Sequence, residues 1–126
     1  MKIEISNGEL VDKVCILEIK LKNIKDPKKL INIRKEYEIL LIAENEILGQ
    51  YKFRAKYEDL LNTNKQLWII EDKLRIKEKK QEFDQEFIDL ARSVYFTNDK
   101  RSDIKKQINI ITDSGLVEEK SYQKYS

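Results

Sequence analysis

Apolar positions recur every three and four residues along most of this 126-residue chain, and alternate strictly only at its start. Ile3 and Ile5 alternate with polar neighbours and suit a short extended N-terminal arm. Ser6-Asn7-Gly8-Glu9 then reads as a capping box, the Ser6 hydroxyl accepting from the Glu9 amide while Glu9 reaches back to the Ser6 N–H. Leu10, Val14, Leu17, Leu21 and Ile24 follow in steps of four and three as the seam of a first helix, with Val11 and Ile16 beside it. Asp26-Pro27 ends that helix and starts a second, since Asp caps well and Pro is tolerated at the first helical position. Leu30, Ile33, Tyr37, Leu40 and Ile47 form its heptad seam, Glu44 takes the slot between the last two, and Gly49 is the expected C-cap.

From about Phe53 to Lys80 a third helix carries Leu60, Leu67 and Leu74 seven apart, with Tyr57, Asn64 and Glu71 in the alternating seam positions. The second and third helices are each long enough to pair as an antiparallel hairpin, with the first helix alongside. That pairing would set Glu71 in a polar groove inside the bundle. Asp84 caps a fourth, shorter helix on Phe87, Leu90, Ala91 and Val94. Thr97-Asn98-Asp99 is expected to break it, and a fifth helix runs from Asn98 to about Thr112 on Ile104, Ile108 and Ile111. The fold expected is therefore all-α: a helical bundle of about five helices on a long antiparallel hairpin, one domain over 1–126 with 116–126 as a polar tail.

Composition removes several chemistries. Lys and Arg together number 25 against 23 Asp and Glu, so the net charge is only +2 and no strong field steers nucleic acid or a membrane surface. The chain has no histidine and a single cysteine, Cys15. Ser-His-Asp and Cys-His nucleophiles, His-ligated metals, Cys-rich zinc sites and intramolecular disulfides are excluded, leaving carboxylates, Lys, Tyr and backbone groups. MKIEIS has no signal-peptide core and no apolar run reaches a membrane span, so a cytoplasmic protein with no membrane insertion is expected.

The polar stretch from Val94 to Asn109 holds the densest candidate chemistry. If a helix starts at Asn98, Arg101 and Lys105 lie four apart on one face beside free amides and can clamp a phosphate or carboxylate. The plainer reading makes Asn98 a cap, Asp99 a favourable charge at the helix start and the cations solvated. Glu71, Asp72 and Arg75 are the second group: Glu71 and Arg75 can pair along one face, and Glu71 is the candidate acid or base. Glu9-x-x-Asp12 and Glu86-x-x-Asp89 have the spacing of a magnesium-dependent pyrophosphohydrolase, but a Glu-x-x-Glu partner is missing. No metal or other cofactor is expected.

ISNGELVDKVCILEIKLKNI, LWIIEDKLR, FIDLARSVYFTNDKR and GLVEEKSY together resemble a family of small bacterial and phage-borne proteins of unknown function. Members of that family often lie near polysaccharide or lipopolysaccharide biosynthesis genes, which implies a role in surface-glycan metabolism without naming an activity. Asn98, Asp99, Lys100, Arg101, Ile104 and Lys105 match its NDKRAxIK-like stretch, with Ser102 in place of Ala. The expected function is a binding or accessory protein, a homo-oligomer with a phosphate or sugar-phosphate ligand held by Asn98, Arg101, Lys105, Asp72 and Arg75. The alternative is a small helical enzyme acting on a phosphorylated or carboxylated metabolite. Convergence of these groups on one pocket favours a ligand site, and dispersion favours a scaffold.

Overall fold

In the computed structural model, which describes residues 1–121, four α-helices account for nearly all regular structure: α1 (Asn7–Asn23), α2 (Pro27–Gln50), α3 (Arg54–Lys80) and α4 (Gln85–Ile111). No strand occurs among the described residues, and Met1–Ile5 lie outside any helix or strand. No helix among them is long and apolar enough to cross a membrane. The expected tail is described as far as Ser121, and 122–126 lie outside the described residues.

Local signals set most helix ends as expected. The Glu9 amide donates to Ser6 Oγ (3.1 Å), the Lys28 amide to Asp26 Oδ1 (2.9 Å) and the Phe87 amide to Asp84 Oδ1 (3.0 Å). The Glu9 carboxylate, however, points to Lys105 Nζ (2.6 Å), so the reciprocal half of the capping box gives way to a tertiary ion pair. Gly49 lies inside α2, whose C-cap is Tyr51. Gln81, in the left-handed region at φ 57, closes α3, and its neighbour's amide on Glu82 donates to Lys77 O (3.0 Å). Lys77 Nζ then ties the α3–α4 turn together through Asp84 (2.8 Å), Glu86 (3.0 Å) and Glu82 (3.4 Å).

Two expectations fail. Thr97-Asn98-Asp99 does not break the chain: α4 runs unbroken from Gln85 to Ile111, so there are four helices and Asn98 is mid-helix. Each of these residues costs only about 0.5–0.7 kcal/mol of helix propensity against Ala. The burial of Ile104 and Ile108 on the same helix outweighs that. Nor do α2 and α3 form the long hairpin. α2 packs on α1, and α3 packs on α4 as the long antiparallel pair. The reason lies in α1, which is buried around most of its circumference at Gly8, Val11, Asp12, Val14, Cys15, Leu17 and Ile19 and contacts all three other helices. A helix apolar on several sides takes the centre, and the seam of α2 spends itself there.

The core joins Val11, Val14, Cys15 and Ile19 of α1 to Phe53, Tyr57, Leu60 and Leu61 and to Ile104 and Ile108 of α4, with Leu40, Leu41, Ile47 and Leu48 of α2 packed against it. It occupies one end of the α3–α4 hairpin only. From Trp68 to Asp103 no residue is buried.

A candidate cleft beside an α1–α4 ion network

Gly8 is where α1 meets α4. A Cβ there would lie 2.4 Å from Lys105 O and 2.9 Å from Asn109 Oδ1, so only glycine permits this approach. The Gly8 N–H donates to Asn109 Oδ1 (2.6 Å), the Asn7 N–H to Ser114 Oγ (3.0 Å) and Asn7 Nδ2 to Thr112 Oγ1 (2.9 Å). Of the orphan amides opening α1, those of Asn7 and Gly8 are thus satisfied by Ser114, just past α4, and by Asn109 near its end, and that of Glu9 by Ser6.

Four residues along α1, Asp12 is 1% exposed at its side chain. Arg101 grips it with both nitrogens of a fork, Nε to Oδ1 (2.9 Å) and Nη2 to Oδ2. Asn64 Nδ2 of α3 adds a bond to Oδ1 (2.9 Å), and the pairing with Asp12 makes the Arg101 guanidinium harder to deprotonate. Lys105 Nζ is surrounded by acids: Glu9 at 2.6 Å, Glu118 at 3.3 Å and Asp12 at 3.9 Å.

The anion corner expected at a helix start is therefore corrected. Asn98 is a helix-interior residue with no free amides beside it, and Lys105 is neutralised by carboxylates of α1 and the tail. Asn98→Ala should consequently leave stability unchanged or raise it by about 0.5 kcal/mol through helix propensity, and thermal unfolding checks this; a cap would have made it fall. Glu71, Asp72 and Arg75 are all exposed, so Glu71 is not inside the bundle. The seam continues past Leu67, but no third helix is laid over it.

Two of the expected residues nevertheless meet. A cleft of about 260 Å³ between α1, α3 and α4 is lined by Ile16, Ile19, Lys20, Asn64, Leu67, Trp68, Glu71 and Arg101. Arg101 Nη1 carries no hydrogen bond among the described residues. Arg75 lines an adjoining groove that shares Glu71, whereas Asp72, Asn98 and Lys105 line neither. Lys105 borders a separate, strongly polar hollow of about 270 Å³ with Asp103, Lys106, Glu118 and Glu119. Among the described residues no group of three or more Cys, Asp or Glu could hold a metal ion. Glu9 and Asp12 are occupied by cations.

Lys20, Trp68 and Asn64 were not singled out as ligand groups from sequence, and Asp12 was weighed only as part of a magnesium motif. The available signal was the spacing of Gly8, Asp12 and Lys20 on α1, in steps of four and eight, and of Arg101, Lys105 and Asn109 on α4, in steps of four, which puts each set along one i±4 ridge once both helices are read as continuous.

These segments, ISNGELVDK from one helix and NDKR from another, form one structural unit, and the match to known sequences spans nearly all of it. The profile of a family of unknown function (DUF6165) matches residues 1–125. The chain belongs to the DUF6165 family. No curated protein and no solved structure gives a match.

Proposed function

We propose that this DUF6165 member is a binding protein whose ligand is a small anionic sugar, a sugar phosphate or sugar acid, in surface-polysaccharide metabolism. The observation that carries the reading is the convergence of Lys20, Trp68, Glu71 and Arg101 on one cleft. Lys20 and Arg101 Nη1 supply donors for a phosphate or carboxylate, and Arg101 is held in place by Asp12 rather than left to search for its ligand. The Trp68 ring offers an apolar face to the C–H side of a sugar ring. Glu71 and the Asn64 carbonyl, whose amide is committed to Asp12, can accept from sugar hydroxyls. The volume is below the roughly 300–1,000 Å³ of drug-sized sites, which suits one sugar unit. The resemblance to proteins found near polysaccharide genes guides the choice of sugar phosphates over other anions.

Trp68 is the single tryptophan of the chain and reports on the cleft directly. Titration with hexose phosphates, sugar acids and inorganic phosphate should change its fluorescence saturably. Lys20→Ala and Glu71→Gln should each weaken the sugar-phosphate response at least tenfold without altering helicity. A flat fluorescence response together with no calorimetric heat would reject the reading.

A further inference from the structure

We infer that the distal half of the α3–α4 hairpin is a self-association surface, docking on the same half of a second copy to make a four-helix bundle. A folded monomer of 15.1 kDa is expected to expose about 7,100 Å². This chain exposes 9206 Å², an excess well above the roughly 800 Å² that each partner contributes to a stable interface.

Part of that excess belongs to the non-helical residues 1–6 and 112–121, and part to the hairpin beyond the core, where Ile69, Ile76, Phe83, Ile88, Tyr95 and Phe96 are each roughly half exposed. Between Trp68 and Asp103 the hairpin fully buries no residue, and even its own seam residues Leu74, Phe87 and Ala91 are only half-buried. Two helices joined by one half-wet seam gain little from packing, and helices of this kind are held mainly by tertiary burial. A groove opens along this half, floored by Leu74, Phe87 and Ala91 and rimmed by Glu71, Arg75 and Glu78. Ile88, Ala91 and Tyr95, spaced three and four apart, continue an apolar stripe beside it, with Ile88 47% and Tyr95 63% exposed.

The occupant is a second copy because the rim is self-complementary. Glu71, Arg75 and Glu78 alternate in sign within two turns, so a two-fold axis midway between Arg75 and Glu78 brings each arginine against Glu78 of the other copy. The same patch then serves both sides, as an isologous dimer requires. Two hairpins packed this way bury a shared four-helix core. Glu71 borders both this groove and the cleft at Trp68, but mass is read without any ligand and neither groove variant alters a residue that lines the cleft, so this inference stands or falls separately from the sugar-binding reading.

Sedimentation equilibrium over micromolar concentrations tests it. The wild type should weigh about twice 15.1 kDa. Ala91→Arg on the groove floor and Arg75→Glu on its rim should each raise the dimer dissociation constant at least tenfold. Arg75 is exposed, so its reversal leaves folding intact even if Ala91→Arg does not, and far-ultraviolet circular dichroism confirms which applies. Ile31→Arg, on the exposed side of α2, should leave the dimer unchanged. The inference is overturned by a wild type that is monomeric at every concentration. It is equally overturned by a dimer that both groove variants leave intact, or by one that Ile31→Arg alone dissolves.

Discussion

Arg101→Ala should lower the unfolding free energy by about 3 kcal/mol, the lower part of the range for breaking a buried ion pair. The cost comes from what is left behind. Asp12 is 1% exposed and would keep only Asn64 and a distant Lys105 at 3.9 Å as partners. The range is not reached in full because Arg101 itself is 25% exposed, and water can enter where its side chain was. Replacing both members, Asp12→Leu with Arg101→Met, should recover most of the loss, since an apolar pair of similar volume carries no stranded charge. Urea denaturation at one fixed protein concentration measures all three variants and keeps any self-association constant between them. A single Arg101→Ala midpoint equal to wild type would show that Asp12 is not dependent on this partner. The experiment also bears on function: Arg101 cannot be truncated as a simple ligand knockout, which is why Lys20 and Glu71 are the informative residues in the cleft.

Stability should fall as pH rises from about 4.5 to about 7, and Glu44 is the cause. Its side chain is 1% exposed, among Cys15 and Glu18 of α1, Tyr37 of α2 and Arg54 and Tyr57 of α3, with Oε2 lacking any hydrogen-bond partner among the described residues. Burial pushes its pKa from 4.5 up to about 7, Glu18 adds to the rise and Arg54 opposes it. Glu18 already accepts from the Tyr57 hydroxyl (2.9 Å), so that phenol is not free to serve Glu44.

In the unfolded chain Glu44 releases its proton near 4.5, whereas the folded protein holds it until near 7. The raised value therefore contributes stability that is complete below 4.5, declines across the interval and is gone above 7, amounting to on the order of 3 kcal/mol. Glu44→Gln keeps the shape without the titration and should flatten the curve. Denaturant unfolding of both proteins at pH 4.5, 5.5, 7 and 8 gives the difference directly. The lowered carboxylates, Asp84 and Glu118, act in the opposite sense at more acidic pH and cancel in that comparison. Parallel curves for the two proteins would refute the assignment to Glu44.

Helix type, most helix ends and the seams were legible because they depend on neighbours three or four residues away. Ser6, Asp26 and Asp84 cap where their side chains say they should, and Leu60 and Leu67 are buried on the seam that their seven-residue spacing marks. Asn98 was misread for a related reason. Asn and Asp in a row look like a helix start, but propensity is a small energy that packing of Ile104 and Ile108 overrides. Arg101 and Glu71 were recognised as candidates, yet the pairing of Arg101 with Asp12 and the meeting of both at one cleft were not, because charge along a sequence does not reveal what lies across the interface.

The amino-acid sequence by itself determined an all-helical chain, the capping residues that punctuate it, and the absence of histidine and of an intramolecular disulfide. Only the tertiary structure decided which helix is central, which pair forms the long hairpin, and which charges remain available. Heptad seams state that a face will be covered but not by which partner, since any apolar ridge of suitable shape satisfies them. Once α1 took the centre, Glu9, Asp12 and Glu118 surrounded Lys105 and Asp12 fixed Arg101, leaving Lys20, Trp68, Glu71 and Arg101 to line the cleft.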